Sequence, residues 1–357
     1  MKRKWTRTLT ALAAAGLMLI LPLTGSAAGI VNLTRPCSLT VYPAGTENAE
    51  LTEDLEEADV VVDLYMVGSA VGNNGYDGYT YQMLSPFTGL KVESDITQEG
   101  WKMLAEDAAE IVLQRNSGAA PIVKGAKAGA RISDDDEGRT LQAGLYLVIA
   151  RGADVEDYVV TVEEEGADPH LATVAYSDTY QYTFMPQLVS LPGKDADENG
   201  VVSSANPGDW IYNFTMYLKP VQEVRRGSLD IIKDLLTYET SDTATFVFEV
   251  EAVRDGRIVY SNVVSLSFTA PGQKHVLIEN LPVGAQVTVT EVYSGSSYDL
   301  VSPASGTVTI SAAEVVSVTF ENDYDERVNG GHGITNHFAY DPDNGWEWTQ
   351  MADNAAE

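Results

Sequence analysis

The sequence has 357 residues, with one cysteine, 22 basic residues and 52 acidic residues, and its formal net charge is −30. So acidic a chain excludes nucleic acid as a partner, because few cations remain to neutralise phosphates. A single cysteine excludes an internal disulfide bond.

The N-terminus has the layout of a secretory signal peptide. Basic residues precede an apolar run, Leu9–Leu23, and small residues follow it at Gly25–Ala28. The run is short for a membrane anchor, which needs about 20 apolar residues, so cleavage and export are favoured over anchoring. We therefore expect residues 1–28 to be removed and the mature chain to be secreted, with no membrane contact after cleavage.

Most of the remaining sequence alternates apolar and polar residues with a period of two. The segments are short, separated by turn residues, and rich in Val, Tyr, Phe and Thr, as in Thr245–Ala252 and Gln286–Tyr293. This pattern is typical of strands that are half-buried in β-sandwiches. The sequence therefore predicts an all-β protein.

One segment near residues 97–114 has helical periodicity instead. Asp95 or Thr97 can cap a helix that extends to about Gln114. Its apolar residues are Trp101, Leu104, Ala108, Ile111 and Val112. This stripe predicts a helix packed on a sheet. The next segment, Gly118–Gly138, is rich in Ala, Gly and acidic residues and is interpreted as a loop.

A domain boundary is predicted where a strand-like segment ends at Lys219-Pro220 and a polar, basic stretch follows. We expect a first domain at residues 29–222, a second at 227–324 and a tail at 325–357. The tail combines a Gly-rich linker with two aromatic segments around Asn344-Gly345, which predicts a β-hairpin. Trp346 and Trp348 in this hairpin are candidate ligand-binding residues.

Three strands of the second domain carry a polar residue on the side that faces the core. Alternation places Lys233, Glu291 and Asn322 on these faces. Their expected companions are Leu229, Ile231, Leu235, Val287, Val289, Tyr293, Val316, Val318, Phe320 and Tyr324. Because burying an unpaired charge is prohibitive, the three polar residues need a joint explanation.

The segments around these residues resemble Cna-B-type domains of Gram-positive pilins and adhesins. They are Gly227-Ser-Leu-Asp-Ile-Ile-Lys, Val289-Thr-Glu-Val-Tyr and Val318-Thr-Phe-Glu-Asn. The resemblance implies tandem β-sandwich domains of Ig-like or prealbumin-like type, the first with an inserted α-helix. It also implies a spontaneous isopeptide bond between Lys233 and Asn322, with Glu291 as the assisting, catalytic acid.

Physical chemistry supports these roles, because burial lowers the pKa of an amine and raises that of a carboxyl. Lys233 would then be a neutral nucleophile. A protonated Glu291 could donate a hydrogen bond to the carboxamide of Asn322 and help ammonia leave. The alternative is a buried Lys233–Glu291 ion pair with Asn322 as a hydrogen-bond partner.

The first domain resembles a pilin domain more loosely, through Cys37-Ser-Leu-Thr-Val, Val61-Val-Asp-Leu-Tyr-Met-Val and Gly144-Leu-Tyr-Leu-Val-Ile. Its first strand lacks Lys, and its Gly144 segment lacks Glu, so we expect no isopeptide bond there.

The end of the first domain, Trp210–Lys219, is similar to the pilin motif, although Leu218 stands where the family has Pro. Lys219 is thereby a possible sortase acceptor. The alternative is a solvated lysine at the end of a strand. Because residues 351–357 contain no sorting signal, we expect the chain to accept a partner at Lys219 but not to be transferred itself.

Metal sites are not expected. Asp195–Gly200 fits the first half of a calcium loop, but Asn206 stands where such loops end in Glu, which favours an acidic turn. His332 and His337 lie in a linker and hairpin rather than in a zinc motif. Neither a metal nor a cofactor is predicted.

The expected function is an exported structural surface or pilus-associated protein, and not an enzyme apart from its self-directed bond. The alternative is a secreted adhesin. The corresponding partners are other pilus or cell-wall proteins, or host matrix proteins and glycans.

Overall fold

The computed structural model describes residues 30–44, 49–73, 78–93, 96–114, 117–163, 168–194, 209–239, 243–295, 297–325, 334–341 and 345–352. The chain divides into two compact units, Met1–Arg225 and Arg226–Glu357. The predicted signal peptide and the calcium-loop candidate Asp195–Gly200 lie outside the described residues. Within the described part, no helix has the length and apolar character needed to cross a membrane.

The first unit is built mainly of short strands. They are β1 (Ser38–Tyr42), β2 (Val60–Gly72), β3 (Tyr79–Met83), β4 (Val123–Lys127), β5 (Arg131–Ile132), β6 (Gly144–Gly152), β7 (Val159–Val162), β8 (His170–Tyr176), β9 (Tyr180–Phe184), β10 (Gln187–Leu191), β11 (Gly193–Lys194), β12 (Trp210–Ile211), β13 (Asn213–Tyr217) and β14 (Val221–Val224). The helices are α1 (Ala49–Glu57) and α2 (Gln98–Leu113), with a 3-10 turn at Phe87–Gly89.

These strands form small sheets with the orders β13-β1-β5, β10-β6-β2-β3, β14-β9-β8-β7 and β11-β12, and β4 also pairs with β2. In the first sheet, β1 and β13 run parallel, and Tyr42 lies opposite Tyr217. The first and last parts of this unit are therefore joined side by side. Strand β14 pairs with β9, so the polar stretch after Pro220, at the predicted domain boundary, belongs to a sheet of the first unit.

Strand β6 is buried on both faces, which explains its continuous apolar sequence. Tyr146 faces one core cluster, shared with β1 and β2, while Leu147 faces a second cluster that includes Trp101 of α2. The helix begins after Thr97, whose hydroxyl accepts a hydrogen bond from the Gly100 N–H at 3.1 Å. The prediction of a capped helix packed on a sheet is confirmed.

One local prediction differs from the structure, and one helix was not predicted. The segment Gly118–Gly138, interpreted as a loop, contains β4 and β5, which pair with β2 and β1. Neighbouring strands recruit this segment despite its weak intrinsic preference. Helix α1 was not expected, because its sequence is largely acidic and it buries mainly Leu55.

The second unit is a β-sandwich. Its strands are β15 (Arg226–Leu235), β16 (Ala244–Arg254), β17 (Arg257–Phe268), β18 (Gly272–Pro282), β19 (Gln286–Tyr293), β20 (Tyr298–Leu300), β21 (Ser305–Thr309) and β22 (Val316–Tyr324). They form two four-stranded sheets with the orders β18-β15-β22-β20 and β17-β16-β19-β21. One hydrophobic core unites inward residues of both sheets, so the predicted all-β sandwich fold is confirmed.

The predicted inward faces of β15 and β22 are largely observed, but the prediction for β19 fails at its end. Val287, Val289 and Glu291 are buried, whereas Tyr293 is 45% exposed. The pairing of β19 with β16 shifts register there, since Phe248 lies opposite Glu291 and Val247 opposite Tyr293. This irregularity ends the strict alternation on which the prediction depended.

The tail forms an antiparallel hairpin of β23 (Ile334–Asp341) and β24 (Gly345–Ala352). Trp346 lies opposite Tyr340, and Trp348 lies opposite Phe338. The described backbone places both tryptophans on one strand, while a ligand-binding role for them stays a prediction.

Candidate crosslinking site

A buried polar cluster lies in the core of the second unit, where its first and last strands run side by side. In the parallel pair β15 and β22, Lys233 lies opposite Phe320 and Leu235 lies opposite Asn322. Lys233 and Asn322 are therefore diagonal neighbours on the core-facing side. Glu291 approaches from β19 in the facing sheet. Lys233 and Asn322 are 0% exposed and Glu291 is 6% exposed.

The three side chains form a continuous hydrogen-bonded chain. Lys233 Nζ donates to Asn322 Oδ1 at 2.7 Å, and Asn322 Nδ2 donates to Glu291 Oε1 at 2.8 Å. The second carboxyl oxygen, Glu291 Oε2, lies 3.9 Å from Lys233 Nζ. Because a carbonyl carbon is about 1.2 Å from its oxygen, Asn322 Cγ is within about 4 Å of the amine nitrogen.

The surroundings of the Lys233 amine are partly polar and partly aromatic. Its Nζ also donates to the backbone carbonyls of Asp234, at 3.2 Å, and Phe320, at 3.4 Å. On another side it lies 4.7 Å from the centroid of the Phe246 ring. These contacts fix the position of the nitrogen and keep water away from it.

Burial changes the protonation of both ionisable members. Desolvation lowers the pKa of Lys233 to about 8, although the nearby carboxylates, Glu291 first among them, oppose this shift. Desolvation likewise raises the pKa of Glu291, against the opposing effects of Lys233 and the hydrogen bond from Asn322. Glu291 Oε2 has no hydrogen-bond partner within the described residues. All three observations favour the neutral forms of the pair.

One detail of the predicted site is different. We expected Glu291 to donate a hydrogen bond to the Asn322 carboxamide, but in the structure the carboxamide nitrogen donates to Glu291. The carboxamide oxygen is instead engaged by Lys233. Glu291 is thereby placed beside the nitrogen that would leave.

Sequence reasoning missed the aromatic and main-chain surroundings of the amine. Phe246 belongs to the alternating segment Thr245–Ala252, and parity alone could have placed it in the core. The carbonyl groups of Asp234 and Phe320 had no sequence signal, because main-chain atoms are present at every position.

Sequence reasoning also missed a polar pair in the core of the first unit. Asp63 and Arg151 form a bidentate ion pair, with Nε–Oδ2 at 2.8 Å and Nη2–Oδ1 at 3.2 Å. Asp63 also accepts the Gly125 N–H at 2.7 Å. The sequence did contain one indication of this pair, because Asp63 is a charged residue inside the apolar strand Val60–Gly72. The ion pair joins the neighbouring strands β2 and β6, and the contact with Gly125 adds β4 to them.

Lys219, the possible sortase acceptor, belongs to the first unit. Lys219 is exposed and follows the end of β13, while the Leu218 N–H donates to the Tyr42 carbonyl at 2.9 Å. Its use by a sortase stays a prediction. Cys37 is buried and forms no disulfide. The part of the chain that is described contains no group of three or more His, Cys, Asp or Glu residues arranged to hold a metal.

Fold and site together define a tandem β-sandwich protein with a buried Lys–Glu–Asn cluster that bridges the first and last strands of one domain. A family described as a domain of unknown function, DUF5979, matches residues 232–325, which include the whole cluster. No curated protein matches the chain.

Solved structures of pilins and adhesins are similar to this chain. GBS52, the minor pilin of the Gram-positive pathogen Streptococcus agalactiae, is 16% identical, with 83% of this chain and 99% of that chain covered and a TM-score of 0.23. A Mobiluncus mulieris adhesin containing intramolecular disulfide, isopeptide and ester cross-links is 15% identical, with coverages of 53% and 80% and a TM-score of 0.22. A streptococcal ancillary pilin is 8% identical, with coverages of 84% and 70% and a TM-score of 0.22.

Proposed function

We propose that this chain is an exported structural protein of a bacterial surface or pilus, stabilised by a self-made isopeptide bond between Lys233 and Asn322. The observation that carries the proposal is the buried contact of 2.7 Å between Lys233 Nζ and Asn322 Oδ1, with Glu291 bonded to the other end of the carboxamide.

The chemistry begins with the neutral amine. Passage of the ammonium proton from Lys233 to the Glu291 carboxylate gives this neutral amine, whose lone pair then attacks Asn322 Cγ. The new bond joins Nζ to Cγ, and the bond from Cγ to Nδ2 breaks. One proton from Nζ reaches Nδ2 through the Glu291 carboxyl, and the leaving group departs as ammonia. Atoms balance, because an amine and a carboxamide give a secondary amide and ammonia.

The positions of the two carboxyl oxygens fit this proton path. Glu291 Oε2 faces the attacking nitrogen at 3.9 Å, and Oε1 faces the leaving nitrogen at 2.8 Å. A fixed arrangement of reacting groups replaces a chance encounter, an advantage that reaches about 7–11 kcal/mol of the barrier in well-oriented systems. The site therefore needs neither a metal nor a second protein for this step.

The ion-pair alternative keeps the same contacts without a bond. Intact mass spectrometry of the purified protein separates the two. We expect wild-type protein to be lighter than its sequence mass by one ammonia, and Lys233→Ala to have its full sequence mass. A wild-type chain of full mass would rule out the bond.

The surface assignment is tested separately from the bond. Fractionation of the source cells, followed by detection of the chain with an antibody, should place it in the cell-wall or pilus fraction. A chain found solely in the culture medium would favour the secreted adhesin instead.

A further inference from the structure

We propose that the outer face of the sheet β13-β1-β5 in the first unit binds an acidic polysaccharide. This face belongs to the first unit and contains none of the crosslinking residues, so the proposal is independent of the bond proposed above. It combines a stacked pair of tyrosines with a row of neutral hydrogen-bonding groups and two cations.

The aromatic part consists of Tyr42 on β1 and Tyr217 on β13. Their ring centroids lie 5.2 Å apart with an interplanar angle of 15°. They are 37% and 47% exposed, respectively, so the pair presents a large aromatic surface to solvent. Gly129 borders Tyr42 closely, since a Cβ atom there would lie 3.4 Å from the ring. The pairing of β1 with β13 therefore places the two rings side by side before any ligand arrives, and Gly129 leaves space beside Tyr42.

Strand order leaves one aromatic face open. Strand β13 is the outer strand of its sheet and pairs with β1 alone in the described part of the chain. The Tyr217 face turned away from Tyr42 therefore has no further strand beside it. An aromatic face carries negative charge density, and it attracts the polarised C–H groups of a pyranose ring.

The polar part continues along the same face. Alternation places Thr40 and Thr215 next to the tyrosines, and Asn213 beyond them. The inward neighbours Phe214 and Met216 pack on the core, which confirms the direction of the outer set. From the Asn213 row to the Tyr217 row, the face is about 13 Å long, because a strand rises about 3.3 Å per residue. This length suits a chain of sugars better than a single ring.

Two cations determine the kind of polysaccharide. Arg131 donates to Ser38 Oγ at 3.1 Å and to Asn213 Oδ1 at 3.1 Å, and it is exposed at one end of the face. Lys219 is exposed two residues beyond Tyr217, at the other end. Neither pairs with an acidic side chain in the described residues. Although the chain as a whole is acidic, these two cations flank the aromatic pair and give this face local positive charge, which complements a ligand that carries carboxylates.

Affinity electrophoresis of the full-length mature protein in gels that contain polygalacturonate tests this site. We expect retardation by polygalacturonate that falls as salt is raised, and at least about tenfold weaker binding to neutral dextran. Tyr217→Ala and Arg131→Gln should each weaken the binding to polygalacturonate by about tenfold, the loss usual for a central aromatic or arginine contact.

Tyr293→Ala is the matched control, because Tyr293 is 45% exposed but lies in the second unit. Its binding should equal that of wild type. Absence of retardation, or equal binding by Tyr217→Ala and wild type, would overturn the site. Equal binding of dextran and polygalacturonate would overturn the acidic ligand. Circular dichroism of each variant shows that a loss of binding is not a loss of fold.

Discussion

Lys233 is a buried amine whose hydrogen bonds reach both a carboxamide oxygen and two main-chain carbonyls. Its pKa is lowered by desolvation, which disfavours the charged form. Glu291, 3.9 Å away, has the opposite shift for the same reason. A proton shared between two such groups is easily moved, and this is the property that the proposed bond formation needs.

A prediction for the role of Glu291 uses a variant of nearly equal size. Glu291→Gln can still accept the hydrogen bond from Asn322 but cannot carry a proton from Nζ to Nδ2. We expect freshly purified Glu291→Gln to have its full sequence mass, or to lose ammonia at least about a hundredfold more slowly than wild type, as is usual when a general acid–base group is removed.

The pH dependence of any remaining conversion in Glu291→Gln follows from Lys233. The amine is nucleophilic when neutral, so conversion should be slowest at low pH, rise as the pH approaches the lowered pKa of Lys233, and level off above it. Aliquots held between pH 5 and 10 and weighed by mass spectrometry give the profile. Conversion that is independent of pH would contradict the assignment of Lys233 as the nucleophile.

The positions of the buried polar residues were the part of the structure that the sequence predicted best. Period-two alternation was enough to place Lys233, Glu291 and Asn322 in one core, because each strand keeps strict alternation up to that residue. It could not tell which atom of Asn322 faces Glu291, since a carboxamide presents a donor and an acceptor at similar distances from its strand. It also failed at Tyr293, just past an irregularity in pairing.

At the scale of elements, the strands with strong alternation and the helix with a strong apolar stripe were predictable. Segments without a strong apolar pattern could not be assigned from the sequence. Helix α1 is mostly acidic, β4 contains glycine and alanine, and β5 has only two residues, so their structure depends on neighbours that are distant in sequence. The ion pair between Asp63 and Arg151 could not be predicted from local sequence either, because strand pairing brings together residues that are 88 positions apart.

The pair between Asp63 and Arg151 gives a prediction about the first unit. Asp63→Ala should lower the free energy of unfolding by about 3–5 kcal/mol, because it leaves a buried guanidinium without its partner. The double variant Asp63→Leu/Arg151→Met should lose much less, since neither charge is then buried. Denaturant titrations followed by tryptophan fluorescence, in a background in which Trp346 and Trp348 of the second unit are replaced by Phe, report on this unit through its own tryptophans, among them the buried Trp101.

Glu137→Ala is a suitable control for this series. It removes an exposed ion pair with Arg139, in which both side chains are more than 60% exposed, and should change stability by less than about 1 kcal/mol. If the single variant Asp63→Ala were as stable as Glu137→Ala, the buried pair would not have the importance assigned to it.

At the scale of the whole molecule, the question is how a chain with one buried cysteine and no disulfide becomes durable. The second unit offers an answer, because its parallel first and last strands carry the two residues to be joined, 89 positions apart. A bond between them encloses nearly the whole domain in a covalent loop. The first unit has the same parallel arrangement of β1 and β13, but no lysine lies on β1.

Loop closure gives a prediction for the second unit. A crosslink over a loop of this length should stabilise the domain by about 4–5 kcal/mol, by analogy with a disulfide. Calorimetry should therefore show a lower melting temperature for the second unit in Lys233→Met and in Glu291→Gln, while the first unit melts as in wild type and serves as the internal control. Equal melting of wild type and both variants would contradict the stabilising role.

Tandem mass spectrometry of a proteolytic digest of the wild-type protein shows whether Lys233 and Asn322 are joined. We expect one branched peptide that joins the segment containing Lys233 to the segment containing Asn322, lighter than the sum of the two by one ammonia. Two separate linear peptides of full mass, with Lys233 and Asn322 both unmodified, would contradict it.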